Sequence, residues 1–238
     1  LIGAAGQSER IAAHADRYTI REDATAAIRD DEFAAIVLDR EAAESIGADF
    51  SQDAGLTKSA CRIGQREVDL YQSRWVGEQT ALLLVRPSEE SEISDALAGE
   101  SLVARDAADF HDARTLAGFP WMGIDLDETN LPQEADRDSV AISFTKGCYL
   151  GQETVARLDA LGQVQKKLVN WSIQGGVPEP GIALKAGEKT VGRLTSVAAE
   201  GDQGAIAIGP ARRSHFDVGS TAEGVLDPGS IKITATVI

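Results

Sequence analysis

Apolar residues recur at two spacings along this chain, and the change from one to the other divides it. From Ser8 to Tyr18, the residues Ile11, Ala12, Ala15 and Tyr18 fall on one helical face, with Ser8 placed to cap the helix. Ala35–Leu38 predicts a short strand and Arg40–Ile46 a helix closed by Gly47. Arg66–Trp75 and Ala81–Val85 predict strands joined by a turn that contains Gly77. After Pro87 the acidic run Ser88–Glu92 opens a helix reaching about Leu97, because carboxylates suit the positive end of a helix dipole. A further helix is predicted over Arg105–Leu116, stopped by Gly118 and Pro120.

From Lys167 onward the helical spacing gives way to short β-prone segments between Gly- or Pro-bearing turns. Leu168–Ile173, Thr190–Val197, Ala205–Ile208 and Ile231–Val237 are the predicted strands. Such a pattern is that of a small antiparallel barrel or sandwich. The expected architecture is therefore α+β, with one domain over 1–165 and a small β domain over 166–238. No internal repeat or low-complexity tract interrupts this plan.

Composition narrows the function classes. With 238 residues the chain can bury a real core, and 43% hydrophobic with 26% charged residues is ordinary for a soluble globular protein. The longest apolar run, Ala81–Val85, is far too short to span a membrane, and no targeting segment opens the chain. A formal charge of −15 argues against nucleic acid or an anionic membrane as the main partner, since both demand a positive footprint. Two widely separated cysteines, Cys61 and Cys148, in a chain that needs no staples point to free thiols and a cytoplasmic location. No C-x-x-C, H-E-x-x-H or phosphate-binding loop occurs, and two cysteines are too few for four thiolate ligands, so no metal site is expected.

The richest chemistry lies in Lys146-Gly147-Cys148-Tyr149-Leu150-Gly151-Gln152-Glu153, followed closely by Arg157. Glycines flank the thiol, so the backbone there can turn sharply or approach a ligand. Lys146 and Arg157 supply positive potential, which favours a thiolate. None of His14, His111 and His215 stands in an arrangement that marks it as a base for that thiol. Cys61, in a plainer setting, reads as structural. Glu153 can pair with Arg157 four residues on, or hydrogen-bond a heterocycle's amide edge. Gln152 can serve a heterocycle or satisfy loop backbone, with nothing to decide between them. Trp121 offers a flat apolar face for a ring, or packing for the turn it follows.

These residues carry a family resemblance. The segment 146–157 matches every fixed position of the K-G-C-[FY]-x-G-Q-E-x-x-x-R signature of the YgfZ family of folate-binding proteins, relatives of the glycine-cleavage T-protein (GcvT, aminomethyltransferase). Arg114–Pro120 with Gly123–Leu126, then Leu131–Ala135, and the strands at Gly192–Ser196 and Ala205–Gly209 resemble further ordered blocks of that family. The resemblance implies a GcvT-like folate-binding domain followed by a C-terminal β-barrel. It also implies that the N-terminal part of the folate-binding domain lies upstream of Leu1. The implied cofactor is tetrahydrofolate or a derivative, held by residues among Trp121, Asp125, Glu134, Tyr149, Gln152, Glu153 and Arg157, with Cys148 as the functional thiol. The implied partners are iron–sulfur enzymes or the proteins that assemble them. Alternatives are a folate-dependent aminomethyltransferase, or a folate-binding scaffold without chemistry. Two departures weigh against the transferase. Leu116 stands where T-proteins grip the pterin with glutamate, and Ile11 falls near their catalytic aspartate.

Overall fold

The computed structural model describes residues 1–21, 23–48, 50, 58–161, 164–226 and 232–238. Its backbone contacts group the chain into two compact units, Leu1–Asp106 and Ala107–Ile238.

The first unit is built on an antiparallel sheet of four strands, β1 (Ala34–Leu38), β2 (Lys58–Ile63), β3 (Arg66–Ser73) and β4 (Thr80–Val85), in the order β1-β4-β3-β2. Val68 and Leu70 alternate inward on β3, and Leu83 and Val85 on β4, so one face of the sheet is apolar. Two helices help cover that face. Helix α2 (Arg40–Ser45) is capped by Asp39, which accepts from the Ala42 N–H at 2.9 Å, and the chain leaves it through Gly47 at φ 81°. Helix α3 (Glu90–Gly99) buries Ile93 and Leu97, one turn apart, while Arg66 on β3 bridges Glu89 and Glu92 at its start.

Helix α1 (Ser8–Tyr18) spans the predicted residues but is not capped as expected. Gln7 precedes the helix, and the Ser8 hydroxyl instead donates to Asp30 at 2.6 Å. Strand β2 goes beyond the hydrophobic pattern, because Lys58, Ser59 and Ala60 give no apolar alternation.

The second unit is a closed barrel with helices beside it. Strands β5 (Lys166–Gln174), β11 (Lys232–Val237), β10 (Thr221–Val225), β6 (Ala183–Ala186), β7 (Lys189–Arg193) and β9 (Gly204–Arg212) follow one another, and β9 pairs back onto β5. Strand β8 (Ser196–Ala199) adds to the outer edge of β9. Trp171 on β5 fills the interior at 0% exposure, directly opposite Ala207. Space for the indole comes from β9, whose inward positions are Ala205, Ala207, Gly209 and Ala211. The predicted strand Thr190–Val197 is two strands, broken at Leu194–Thr195, where the Thr195 N–H crosses to the Ile208 carbonyl. Of the last predicted strand, Ile231 lies outside the described residues.

The barrel strands start at Lys166, whereas the compact unit that contains them begins at Ala107. The reason is packing. Helix α4 (Ala107–Leu116) lies on β8 and β9, and a 3-10 turn at Pro132–Ala135 rests on β5. Short helix α5 (Asp138–Ala141) and helix α6 (Gln152–Leu161) complete the unit.

Gly209 is the tightest point of the barrel, since a Cβ there would run into the Arg193 carbonyl group and the Leu194 Cα. Gly209→Ala should cost about 3 kcal/mol and lower the melting temperature by several degrees, because backbone rather than a flexible side chain must move. Unchanged thermal unfolding would show that β7 and β9 do not close as described.

Candidate functional site

All eight candidate residues fall in the second unit, where they separate into two groups. The first group surrounds Arg114, near the end of α4, with its side chain only 1% exposed. Arg114 Nη1 donates to Asp125 Oδ2 at 2.7 Å and to the Phe119 carbonyl at 3.1 Å, and Nη2 donates to Ser196 Oγ at 2.8 Å. Its Nε donates to His111 Nδ1 at 2.7 Å, so the His111 proton sits on Nε2. Asp125 accepts two hydrogen bonds on each oxygen. Thr195 and Ser196 hydroxyls approach Oδ1 at 2.6 Å, while Arg114 and the Trp121 N–H meet Oδ2 at 2.7 and 2.8 Å.

Asp125, expected beside a ligand, spends its oxygens on these protein donors. Its side chain is fully buried, and through the Trp121 N–H it holds the backbone of that residue. The Trp121 indole is half-buried, edge-on to Phe110 at 5.2 Å and to His111 at 6.0 Å. Burial and the adjacent Arg114 charge both hold His111 below the usual histidine range. A histidine depressed on folding stabilises the protein at neutral pH and loses that contribution as acid protonates Nδ1. The protonated ring can no longer accept from Arg114.

The second group is anchored by the 3-10 turn Pro132–Ala135. Glu134, nearly buried, takes the Asn130 side-chain amide on Oε2 at 2.9 Å and the Leu131 N–H at 3.3 Å, with Lys166 Nζ 3.5 Å away. Its Oε1 makes no hydrogen bond among the described residues. Gln133 donates to the Val155 carbonyl at 3.0 Å and thereby ties this turn to α6. Gln152 is the first residue of α6, and Glu153 and Arg157 lie exposed along it. No ion pair joins Glu153 to Arg157 among the described residues, so the one-turn pairing that their spacing allowed is not formed.

Cys148 is exposed in the loop that enters α6, and its thiol makes no hydrogen bond among the described residues. The Lys146 ammonium lies 4.6 Å from the Tyr149 ring centroid. Cys61, by contrast, lies on β2 opposite Val68 against the apolar core, where burial pushes its thiol above the usual range. Among the described residues no group of three or more His, Cys, Asp or Glu side chains is arranged to hold a metal ion, and no helix is long and apolar enough to cross a membrane.

Sequence reasoning missed His111 and the Thr195–Ser196 hydroxyls as partners of Arg114. Their signal was available in the two blocks Arg114–Leu126 and Gly192–Ser196, which are far apart in the chain but carry complementary buried polar groups.

No family model matches the chain. It is 36% identical over 91 residues to the mouse protein named iron-sulfur cluster assembly factor IBA57, mitochondrial, which covers 36% of this chain and 25% of that protein. To proteins named tRNA-modifying protein YgfZ it is 46% identical over 52 residues in Colwellia psychrerythraea and 34% over 122 residues in Cronobacter sakazakii. Those stretches cover 21% and 48% of this chain, and 16% and 36% of the two relatives. The chain thus spans well under two thirds of these relatives' lengths. Among solved structures, the glycine cleavage system aminomethyltransferase T of Bartonella henselae superposes with a TM-score of 0.78 at 17% identity, over 98% of this chain and 65% of that one. The chain has the aminomethyltransferase fold, and its sequence similarity is to the YgfZ and IBA57 proteins.

Two outcomes check the site. Asp125→Ala should destabilise the protein by about 3–5 kcal/mol in chemical denaturation, because it leaves the buried Arg114 uncompensated. A cost near that of an ordinary surface change would mean the pair is not buried. With an alkylating reagent at neutral pH, Cys148 should react at least about tenfold faster than Cys61, from exposure and from the raised Cys61 thiol. Equal rates in the two single-cysteine variants would remove the basis for a reactive Cys148.

Proposed function

We propose that this YgfZ-like chain binds a reduced folate and supports the assembly or repair of iron–sulfur clusters on partner enzymes, with Cys148 as the working thiol. The observation that carries this reading is the joint likeness to YgfZ and to an iron–sulfur cluster assembly factor, IBA57, on a folate-enzyme fold. The two cysteines are unpaired, which suits a reducing compartment, and we take that to be the cytoplasm. We keep 1–165 as the folate-binding part and 166–238 as its barrel.

The residues present offer a partial fit for a folate. Glu134 Oε1 is an unused acceptor on a side chain only 9% exposed, the sort of atom that an N–H edge of a pterin satisfies. Trp121, steadied by Asp125 through its backbone, offers an indole for ring packing. Tyr149, Gln152, Glu153 and Arg157 stand at the entry to α6 or along it, where they can orient a ligand's polar groups and tail. Folate itself supplies one-carbon chemistry when bound; these side chains bind and orient it. An aminomethyltransferase reading rests on the fold alone, and the resemblance sets Leu116 against its pterin-gripping glutamate and its catalytic aspartate near Ile11.

Calorimetric titration with tetrahydrofolate is the test of binding. Saturable heat that weakens about tenfold or more in Glu134→Gln supports the reading. Substituting Leu116→Glu should tighten binding if a pterin enters as in T-proteins. No heat and no thermal shift at about millimolar ligand would remove folate from the reading. Separately, Cys148→Ala should fail to restore iron–sulfur enzyme activity in a strain lacking the gene; full restoration would leave a scaffold without thiol chemistry.

A further inference from the structure

Helix α5 opens on a carboxylate that its surroundings do not favour. Asp138 is the first residue of that short helix, which has no side-chain cap. Its Oδ1 is shut away from solvent, and neither carboxylate oxygen has a hydrogen-bond partner among the described residues. A buried acceptor without a donor is costly, and more so when it is charged. Gln133 Oε1, on the preceding 3-10 turn, is buried without a partner as well. Both acceptors lie in the second unit.

The charges that face Asp138 come from three elements. Asp136 follows the 3-10 turn, Asp159 lies in the last turn of α6, and Lys167 lies on β5. Lys167 is the one cation among them, and its Nζ meets Asp136 at 3.0 Å and lies 5.2 Å from the Phe216 centroid. Arg137, the chain neighbour of Asp138, has its guanidinium 4.8 Å from the Phe119 centroid. Burial, then Asp136 and Asp159, push the Asp138 carboxyl above the usual aspartate range, with Lys167 opposing them. The last turn of α6 holds no basic residue, so Asp159 adds to the negative end of that helix. Against this repulsion, the Gln133 amide ties the turn to α6 through the Val155 carbonyl at 3.0 Å.

We propose that Asp138 is a proton-operated latch on α6. Ionised at neutral pH, it repels Asp159 and loosens the helix from the turn and from α5. Protonated, its O–H becomes a donor among carboxylate and amide acceptors, and the helix settles. The sign follows from linkage: a carboxyl raised on folding adds stability as pH falls through its folded value, and the gain is complete below the ordinary aspartate value of the unfolded chain. Because α6 starts at Gln152, just after the Cys148 loop, the latch sets how firmly the base of that loop is held. It involves none of the eight candidate site residues and does not rest on the folate reading.

The test compares the full chain with Asp138→Asn, which keeps the shape and removes the charge. At neutral pH the variant should melt about 2 °C or more higher, and this advantage should vanish in acid below the ordinary aspartate value. Its α6 amides should exchange hydrogen at least about threefold more slowly than those of the unchanged chain at the same neutral pH. If that variant fails to fold, Asp159→Asn serves instead: it should move the Asp138 titration midpoint, followed by the carboxyl carbon shift, down towards the ordinary value. An Asp138 that titrates at or below that value would overturn the proposal. So would an Asp138→Asn chain that melts no higher at neutral pH, or whose α6 amides exchange no more slowly.

Discussion

The buried Arg114–Asp125 pair is the constraint on which the second unit depends. Taking both charges out of water is expensive, and Coulomb attraction alone seldom repays it. Here the cost is offset because the guanidinium and carboxylate are saturated with hydrogen bonds: His111, Phe119 and Ser196 serve the cation, and Trp121, Thr195 and Ser196 serve the anion. Those partners come from α4, from the turn that follows it, and from the start of β8. One polar knot thus holds a helix and a loop on the barrel, and it also sets the tautomer of His111 and the height of the Trp121 backbone.

The candidate site inherits this arrangement unevenly. Trp121 is fixed by the knot, and Glu134 by its own 3-10 turn. Helix α6 is joined to that turn through a single amide, Gln133 to Val155. In the Cys148 loop the Lys146 N–H donates to the Ser143 hydroxyl and its ammonium lies over Tyr149, while the exposed thiol has no hydrogen bond among the described residues. Trp121 and Glu134 are thus held by several polar contacts each, whereas the Cys148 thiol is exposed.

Much of the fold was legible because its helices and inner strands carry strong periodicity. Ile93 and Leu97 mark α3, and the long apolar run marks β4. The barrel was recognisable from its turn spacing, yet β6 and β10 escaped notice because four- and five-residue strands bearing Lys185, Glu223 and Gly224 show little alternation. The site was harder. Ordered motif blocks pointed to the right segments but not to the direction of a side chain. Nothing in the order of residues says that Asp125 turns inward to four donors while Glu134 keeps an oxygen free. That difference arises from Thr195 and Ser196, some 70 residues away, which only the folded barrel brings to Asp125.

Leu116 shows how far the fold can be kept while its chemistry drifts. The backbone follows an aminomethyltransferase closely at 17% identity. Yet the position where the resemblance implies a pterin-gripping carboxylate holds a leucine that is 49% exposed. A leucine so open to solvent is not demanded by core packing, so the fold does not explain the replacement. What is missing there is a ligand contact, and a ligand kept without it must find its polar partners elsewhere. In the second unit Glu134 Oε1 makes no hydrogen bond among the described residues. On the proposed folate reading, a pterin N–H therefore meets the Glu134 carboxylate rather than position 116.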